Sequence, residues 1–186
     1  MSFPIEVLSA PTRDSDFADL RALLRDAIES GASVGFMLPV REEEMLAFWQ
    51  GILADVAAGT RIVLVARDAG KIIGSVQLGL ATKPNSRHRA ELQKLLVLCS
   101  HRGRGLGCAL MQAAESAALA QERTLLVLDT SATGNALGLY ARFGYTEVGV
   151  VPCYAADPDG PLIDTIIYYK QLTPVPAMQH RRAAMP

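Results

Sequence analysis

The chain has 186 residues, a formal net charge of −1 and a pI near 6.3. Half of its residues are hydrophobic and 20% are charged, which is the composition of a folded domain and not of a disordered chain. The near-neutral charge argues against a surface built to bind nucleic acid or anionic membranes. The length suits one domain with a sizeable core. We predict a single domain over residues 1–172 and a disordered C-terminal tail over residues 173–186.

The three cysteines (Cys99, Cys108 and Cys153) have no C-x-x-C spacing, and the three histidines have no H-x-x-x-H spacing. A disulfide framework or a metal site is therefore not expected. The first residues lack the basic segment and apolar run of a signal peptide, and no apolar run approaches membrane-spanning length. We expect a cytoplasmic protein without a metal, nucleic-acid or membrane partner.

The apolar pattern predicts the element order β-α-α-β-β-β-α-β-α-β-β. The predicted strands cover residues 5–8, 61–66, 71–80, 91–98, 124–129, 146–151 and 165–170. The predicted helices carry apolar stripes over residues 17–28, 45–56, 106–120 and 136–143, and Pro39 is expected to open the second.

The third helix joins two neighbouring strands, which predicts a parallel pair, whereas the tight turns predict antiparallel hairpins. The strand at 124–129 is nearly all apolar, as expected of a strand that is buried on both faces. The fold class is therefore α/β (α+β), with a mixed, largely antiparallel sheet and helices on both faces.

The most informative motif is the run from Arg102 to Gly107 between a predicted strand and the third helix. A helix N-terminus presents unpaired N–H groups, glycines let a phosphate approach them, and arginines add matching charge. The spacing fails both the P-loop pattern and the dinucleotide pattern G-x-G-x-x-G. It fits Arg-x-x-Gly-x-Gly, which indicates a diphosphate or nucleotide-like ligand. A glycine-rich turn with solvated arginines is the alternative.

This motif and the element order resemble the GNAT superfamily of N-acetyltransferases along nearly the whole chain. The segment from Tyr140 to Tyr145 is similar to that family's Tyr-x-x-x-Gly-Phe segment. Residues 31–37, 89–95 and 157–160 resemble one branch of the family, the tabtoxin-resistance acetyltransferases. The resemblance implies acetyl-CoA as co-substrate and an acetyl transfer to an amine.

The resemblance also implies which residues hold the coenzyme. The implied contacts are Leu96, Val97, Arg102, Gly103, Arg104, Gly105, Leu106, Gly107, Thr133, Asn135 and Arg142. The family often has an asparagine at the position of Thr133, and here Asn135 is displaced from it by two residues. An acceptor pocket is expected beside residues 31–37, with Ser33, Val34 and Phe36 in contact with the substrate.

Acetyl transfer to an amine needs a base for the amine and benefits from an acid at the departing thiolate. Tyr140 is the candidate acid, and its alternative role is that of a core aromatic. Asp129 and Glu91 are the candidate bases. Glu91 shares strand parity with Gln93, Leu95 and Val97, which predicts that it faces the cofactor cleft, and Asp129 ends a buried strand. A surface role for Glu91 and a turn-capping role for Asp129 remain open.

The leading hypothesis is an acetyl-CoA-dependent N-acetyltransferase that acts on the primary amine of a small, amino-acid-like or toxin-like molecule by direct attack in a ternary complex. The first alternative is a protein or peptide N-acetyltransferase. The second is a non-catalytic sensor that binds acyl-CoA. The sequence leaves open whether the chain forms a homodimer, and whether its role is resistance or metabolism.

Overall fold

The computed structural model describes residues 3–172 and confirms the predicted order of strands and helices. One seven-stranded sheet has the strand order β1-β2-β3-β4-β5-β7-β6. Its strands are β1 (Ile5–Val7), β2 (Arg61–Asp68), β3 (Lys71–Leu80), β4 (Arg89–Val97), β5 (Leu125–Ser131), β6 (Thr146–Ala156) and β7 (Leu162–Gln171). The helices are α1 (Asp14–Glu29), α2 (Glu42–Ala57), α3 (Leu106–Ala120) and α4 (Leu137–Arg142). The predicted tail at 173–186 lies outside the described residues.

The sheet is mixed and largely antiparallel, as predicted. Only the pair of β4 and β5 is parallel among the six neighbouring pairs of these strands. The crossover between β4 and β5 is α3, whose length allows a chain to return to the same end of the sheet. The parallel pair therefore places the start of α3 beside the end of β4, where the glycine motif lies.

Several element boundaries differ from the predictions, and two of the differences have a clear physical reason. Helix α2 begins at Glu42 and not at Pro39, because Arg41 caps it: the Arg41 N–H donates to the Glu44 carboxylate at 3.4 Å. Strand β6 continues to Ala156, five residues past the predicted end. Its pairing with β7 is irregular between Val151 and Ala155, which breaks the alternation by which a strand is detected.

Each face of the sheet packs against its own helices. Helix α3 buries Leu106, Leu110, Met111, Ala114 and Ala118 against one face, which we call the α3 face. Helices α1 and α2 bury Leu20, Leu24 and Trp49, among others, against the opposite face, which we call the α1–α2 face. The two apolar layers hold the sheet between them, so the central strands are covered on both sides.

Close backbone approach fixes where α3 starts. A Cβ on Gly74 of β3 would lie 3.0 Å from the Leu96 carbonyl oxygen and 3.1 Å from Leu110 Cδ1. Only glycine leaves room for Leu106 and Leu110 of α3 to pack this closely on β3, beside the end of β4. On the other face, Arg67 donates to both carboxylate oxygens of buried Asp16 at 2.8 and 2.9 Å and anchors α1 to β2. Within residues 3–172, no helix is both long and apolar enough to cross a membrane.

Candidate active site

The parallel strands β4 and β5 separate and open a cleft in the sheet. Their pairing is confined to residues 89–91 of β4 and 125–127 of β5. Beyond Glu91, β4 stays paired with β3 as far as Val97, and β5 stays paired with β7 as far as Ser131. Because each strand follows its other neighbour, one edge of each strand is left facing the cleft.

A bulge in β4 lies at this cleft. Gln93 pairs with Gln77 and Leu96 pairs with Ser75, so β4 uses one more residue than β3 over the same distance. Lys94, in this bulge, has a φ of 50°, an uncommon left-handed conformation for a residue with a side chain. The extra residue reverses the alternation of all residues that follow it.

The bulge corrects the parity by which Glu91 was grouped with Leu95 and Val97. Leu95 and Val97 pack against the α3 face, whereas Leu96 is buried on the α1–α2 face. Glu91 follows buried Ala90 of the α3 layer, so alternation places Glu91 on the α1–α2 face and exposed. It shares that face with Gln93, but not with the two residues after the bulge.

The glycine motif forms a loop whose N–H groups are available to an anion. Gly103 and Gly105 have φ values of 75° and 80°, and a Cβ on either would find no atom within 4 Å. In the described part of the chain, no acceptor is assigned to the N–H groups of residues 103–108, and the first helical bond is donated by Ala109 to Gly105. Open space and unpaired donors at a helix start fit a diphosphate.

The two arginines of the motif differ. Arg102 donates to the Val97 carbonyl oxygen at 3.1 Å and to Ser30 Oγ at 2.9 Å, so it ties the loop to the end of α1. Arg104 is exposed and has no hydrogen bond or ion pair to any of residues 3–172. Arg104 is therefore the side chain with its donors available to a phosphate.

Tyr140 lies on α4, and only 5% of its surface is exposed. Its ring packs against Tyr145 and Tyr168, with centroids 6.0 and 5.9 Å apart. Burial, together with the nearby charge of Asp129, raises the pKa of Tyr140 to about 12, and hydrogen bonding from Thr130 opposes that rise. The phenol is therefore a neutral proton donor at physiological pH, next to the β5 residues that border the cleft.

Asp129 and Lys94 lie on opposite sides of the cleft. Leu126 and Leu128 of β5 are buried in the α3 layer, so alternation places exposed Asp129 on the α1–α2 face. Burial lowers the pKa of the half-buried Lys94, and the charges of Asp129 and Glu91 act in the opposite direction. All three charged groups are thus near enough to influence one another across the cleft.

The segment at 31–37 crosses the α1–α2 face. Val34 and Phe36 are half-buried against the apolar layer of the α1–α2 face. The Phe36 ring meets the Phe48 ring edge-on, with 5.5 Å between the ring centroids. Ser33 Oγ donates to the Ala156 carbonyl oxygen at 3.4 Å, and the Leu38 N–H donates to the Pro158 carbonyl oxygen at 2.8 Å. The segment therefore reaches the turn between β6 and β7, and it is anchored by Val34 and Phe36.

The remaining predicted coenzyme contacts lie around the same opening. Leu96 is buried and Val97 is half-buried at the end of β4, next to the glycine loop. Thr133 and Asn135 are exposed in the connection between β5 and α4, where Thr133 Oγ1 is 3.0 Å from Ser131 Oγ. Arg142 is exposed and its Nε donates to the Gly138 carbonyl oxygen within α4.

Comparison with known proteins identifies the family. The GNAT acetyltransferase domain model matches residues 59–147, which include the bulge, the glycine loop and Tyr140. An uncharacterized N-acetyltransferase from the hisH-hisA intergenic region of Azospirillum brasilense is 32% identical over 123 residues, 65% of this chain and 71% of that protein. The chain belongs to the GNAT family of acetyltransferases.

Solved structures share the fold of this GNAT enzyme. An N-acetyltransferase from Staphylococcus aureus Mu50 superposes with a TM-score of 0.76 at 20% identity, over 93% of this chain and all of that one. The yncA structure from Salmonella typhimurium, solved with its cofactor acetyl-CoA, has a TM-score of 0.76 at 21% identity over 95% and 98% of the two chains. The enzyme uses acetyl-CoA, whose diphosphate suits the glycine loop.

Sequence reasoning missed four polar residues beside the cleft. Lys94, Arg61 and Gln77 lie with Gln93 on the α1–α2 side, and Thr130 lies on the α3 face next to Tyr140. Lys94 gains its position from the bulge, for which a single sequence gives no reliable signal. Arg61 and Gln77 lie in strands that read as ordinary members of a hairpin. Gln77 was the one detectable signal, because an amide in the middle of an otherwise apolar strand needs a partner when it is buried.

Proposed function

We propose that this GNAT enzyme transfers the acetyl group of acetyl-CoA to the primary amine of a small molecule by direct attack in a ternary complex. The proposal is supported by Tyr140 and Asp129, which lie near each other at the cleft between β4 and β5, and by the glycine loop with its unpaired N–H groups at the end of that cleft. Acetyl transfer from a thioester to an amine needs a base and benefits from a proton donor, and the loop would hold the coenzyme beside them.

In the proposed mechanism Asp129 accepts a proton from the incoming ammonium group, so that the nitrogen gains a lone pair. A nitrogen–carbon bond then forms to the acetyl carbon, the nitrogen gives its second proton to solvent, and the carbon–sulfur bond breaks. Tyr140 gives its proton to the departing thiolate, because its raised pKa keeps it protonated until sulfur carries charge. Solvent then restores the proton of Tyr140 and takes the proton from Asp129. Glu91 is the second candidate for the base, since it is exposed on the same face as Asp129.

The coenzyme would be held mainly by backbone. The N–H groups of residues 103–108 and the Arg104 side chain would bind its diphosphate, with Leu106 and Gly107 in the first turn of α3. The unpaired edge of β4 at Leu96 and Val97 would hold the acetyl and pantetheine portion. Thr133, Asn135 and Arg142 border the same opening from the other side and would complete it.

The covered α1–α2 face supports a small acceptor. The segment at 31–37 spans this face to the β6–β7 turn, where Leu38 bonds to Pro158. A bridge of this kind leaves less room for a folded protein or an extended peptide than for a small amine. The resemblance to the tabtoxin-resistance acetyltransferases supports an amino-acid-like acceptor, with Ser33, Val34 and Phe36 beside it.

Thiol release from acetyl-CoA, measured over a panel of small amines and peptides, tests the proposal, with the acetylated product identified by mass spectrometry. Small amines acetylated faster than peptides would support it. Preferred acetylation of peptides would establish the protein-acetylating alternative. Tight acetyl-CoA binding without transfer to any amine would establish a sensor.

A further inference from the structure

A row of polar side chains crosses the α1–α2 face beside the cleft. Gln77 of β3 and Gln93 of β4 are cross-strand partners, and both accept a hydrogen bond from Arg61 Nη1, at 3.0 and 2.7 Å. Arg61 Nε donates to Asp55 of α2 at 3.1 Å. Three acceptors thus hold the Arg61 guanidinium rigidly on the sheet, and only 16% of its side chain is exposed.

Each charged group in this region has unused bonding capacity. Arg61 Nη2 has no acceptor, and Lys94, Glu91 and Asp129 have no hydrogen bond or ion pair with any side chain in residues 3–172. Gln77 is fully buried and its Nε2 has no acceptor either. A buried amide without an acceptor is costly in a folded protein, and the charged groups around it keep donors and acceptors that no side chain uses, so this region marks a place where another molecule supplies partners.

The charges in this region are of both signs. Asp129 and Glu91 suit an ammonium group, whereas Lys94 and the unused edge of Arg61 suit an anion. A polyamine or a basic peptide would meet repulsion from the two cations, and a simple anion would meet repulsion from the two carboxylates. A molecule that carries an amine and an acidic group can pair with all four charged groups, its amine with Asp129 and Glu91 and its acidic group with Lys94 and Arg61.

We propose that the acceptor is a small zwitterionic amine, and that Lys94 with Arg61 binds its carboxylate while its amine lies at Asp129. This inference rests on the proposed function and names the chemical class of its acceptor. Lys94 and Arg61 are specificity-determining residues in this account. Arg61 is pre-positioned by Gln77 and Gln93, and Lys94 is brought to the cleft by the bulge in β4.

Acceptors in matched pairs test the inference. The probes are L-methionine, L-glutamate and L-lysine, each assayed by thiol release beside its own α-carboxamide, which keeps the amine but removes the charge of the carboxylate. The quantity followed is the kcat/KM of each acid divided by that of its amide. Because this ratio is compared between variants, the different basicities of the two amines cancel.

Lys94→Met removes the charge at similar side-chain length, and Lys94→Arg is the matched control that keeps the charge. The ratio should fall about 10-fold in Lys94→Met, the effect of losing one charged hydrogen bond, and stay within about 3-fold of the parent in Lys94→Arg. Melting temperatures of all three proteins separate this effect from unfolding, because lost stability alone would lower both rates and leave their ratio unchanged.

An unchanged ratio in Lys94→Met would overturn the inference, and so would acetyl-CoA binding without turnover of any of the three acids. Equal acetylation of acids and amides would overturn it while leaving the proposed function intact. Failure of the proposed function has a different signature, in which no amine, acid or amide, yields an acetylated product.

Discussion

The two ends of the cleft are built in different ways. The proposed phosphate end is one contiguous run, Arg102 to Gly107, and its candidate donors are backbone N–H groups at the start of α3. The proposed acceptor end gathers Arg61, Lys94 and Asp129 from three strands. A site made of local backbone geometry can be recognised from a short sequence motif. A site made of side chains that are distant in sequence forms only when the sheet has folded.

This difference has consequences for substitution. The backbone N–H groups of the loop remain after most side-chain substitutions. Acetyl-CoA binding at the proposed phosphate end should therefore be weakened chiefly by side chains that fill its open space. The acceptor end depends on single charges, so it should respond to changes that leave acetyl-CoA binding intact. Substitutions at each end should therefore either separate the two ends or show that they act as one.

The largest expected effect is at Tyr140, between the two ends. Tyr140→Phe keeps the ring that packs on Tyr145 and Tyr168 and removes only the hydroxyl. If Tyr140 protonates the thiolate, kcat should fall about 100-fold, the usual scale for a general acid. Acetyl-CoA affinity should stay unchanged in calorimetry. A kcat within a few-fold of the parent would assign the acid to another group or to water.

The next effect is a pH dependence at the acceptor end. Burial lowers the pKa of Lys94 from its usual 10.5, so its positive charge is present at low pH and lost as pH rises through the lowered value. The acid-to-amide ratio of kcat/KM is divided at each pH by the same ratio in Lys94→Met, because the amines of the acid and the amide titrate in different ranges in every variant. This quotient should decline up to about 10-fold at a pH below 10.5. A quotient that stays constant would assign the titration to another group.

A smaller effect is expected at Ser33, where the loop meets Ala156. Ser33→Trp should raise the KM of the amine by about 5-fold if the loop is a pocket wall, since a lost or blocked contact of about 1 kcal/mol has that size. The KM of acetyl-CoA should not change. If the segment acts only as a core connection, stability should fall by about 1–3 kcal/mol through overpacking, with an unaltered amine KM. The melting temperature and the two Michaelis constants distinguish these results.

The smallest effect compares the two arginines of the loop. Arg104→Gln should weaken acetyl-CoA binding by about 3- to 5-fold, because an exposed charge contributes up to about 1 kcal/mol. Arg102→Gln should lower the melting temperature instead, since Arg102 bonds to Val97 and Ser30. Calorimetry and thermal unfolding of the two variants provide the comparison. A larger loss of affinity in Arg102→Gln would reverse these assignments.

Much of the fold could be predicted from the sequence. The apolar stripe of α3 gave its bounds, Leu106–Ala120, because helical periodicity over four turns is a strong signal. The start of α2 was wrong because Pro39 was given more weight than the Arg41 cap. The end of β6 was missed because an irregularity between Val151 and Ala155 hides the alternation.

The candidate site was predictable in the same uneven way. The glycine loop needs only its own residues to be recognised, and Tyr140 and Asp129 follow from the family resemblance. The position of Lys94 depends on the bulge in β4, and so does the finding that Glu91 does not share a face with the residues after the bulge. The hydrogen bonds of Arg61 to Gln77 and Gln93 depend on strand register. Register and bulges are set by the packed sheet, so the acceptor end could not be assembled from the sequence.

The most direct test of the account is calorimetric titration of acetyl-CoA into Gly105→Asp. Gly105 and Gly70, in the turn between β2 and β3, have φ values of 80° and 82° and open space where a Cβ would lie. Gly70→Asp is therefore a control with the same backbone strain and the same added charge away from the loop. We expect Gly105→Asp to weaken acetyl-CoA binding by at least about 10-fold, because its carboxylate would lie in the proposed diphosphate site, and Gly70→Asp to bind as the parent does. Unchanged affinity in a folded Gly105→Asp protein would contradict the account.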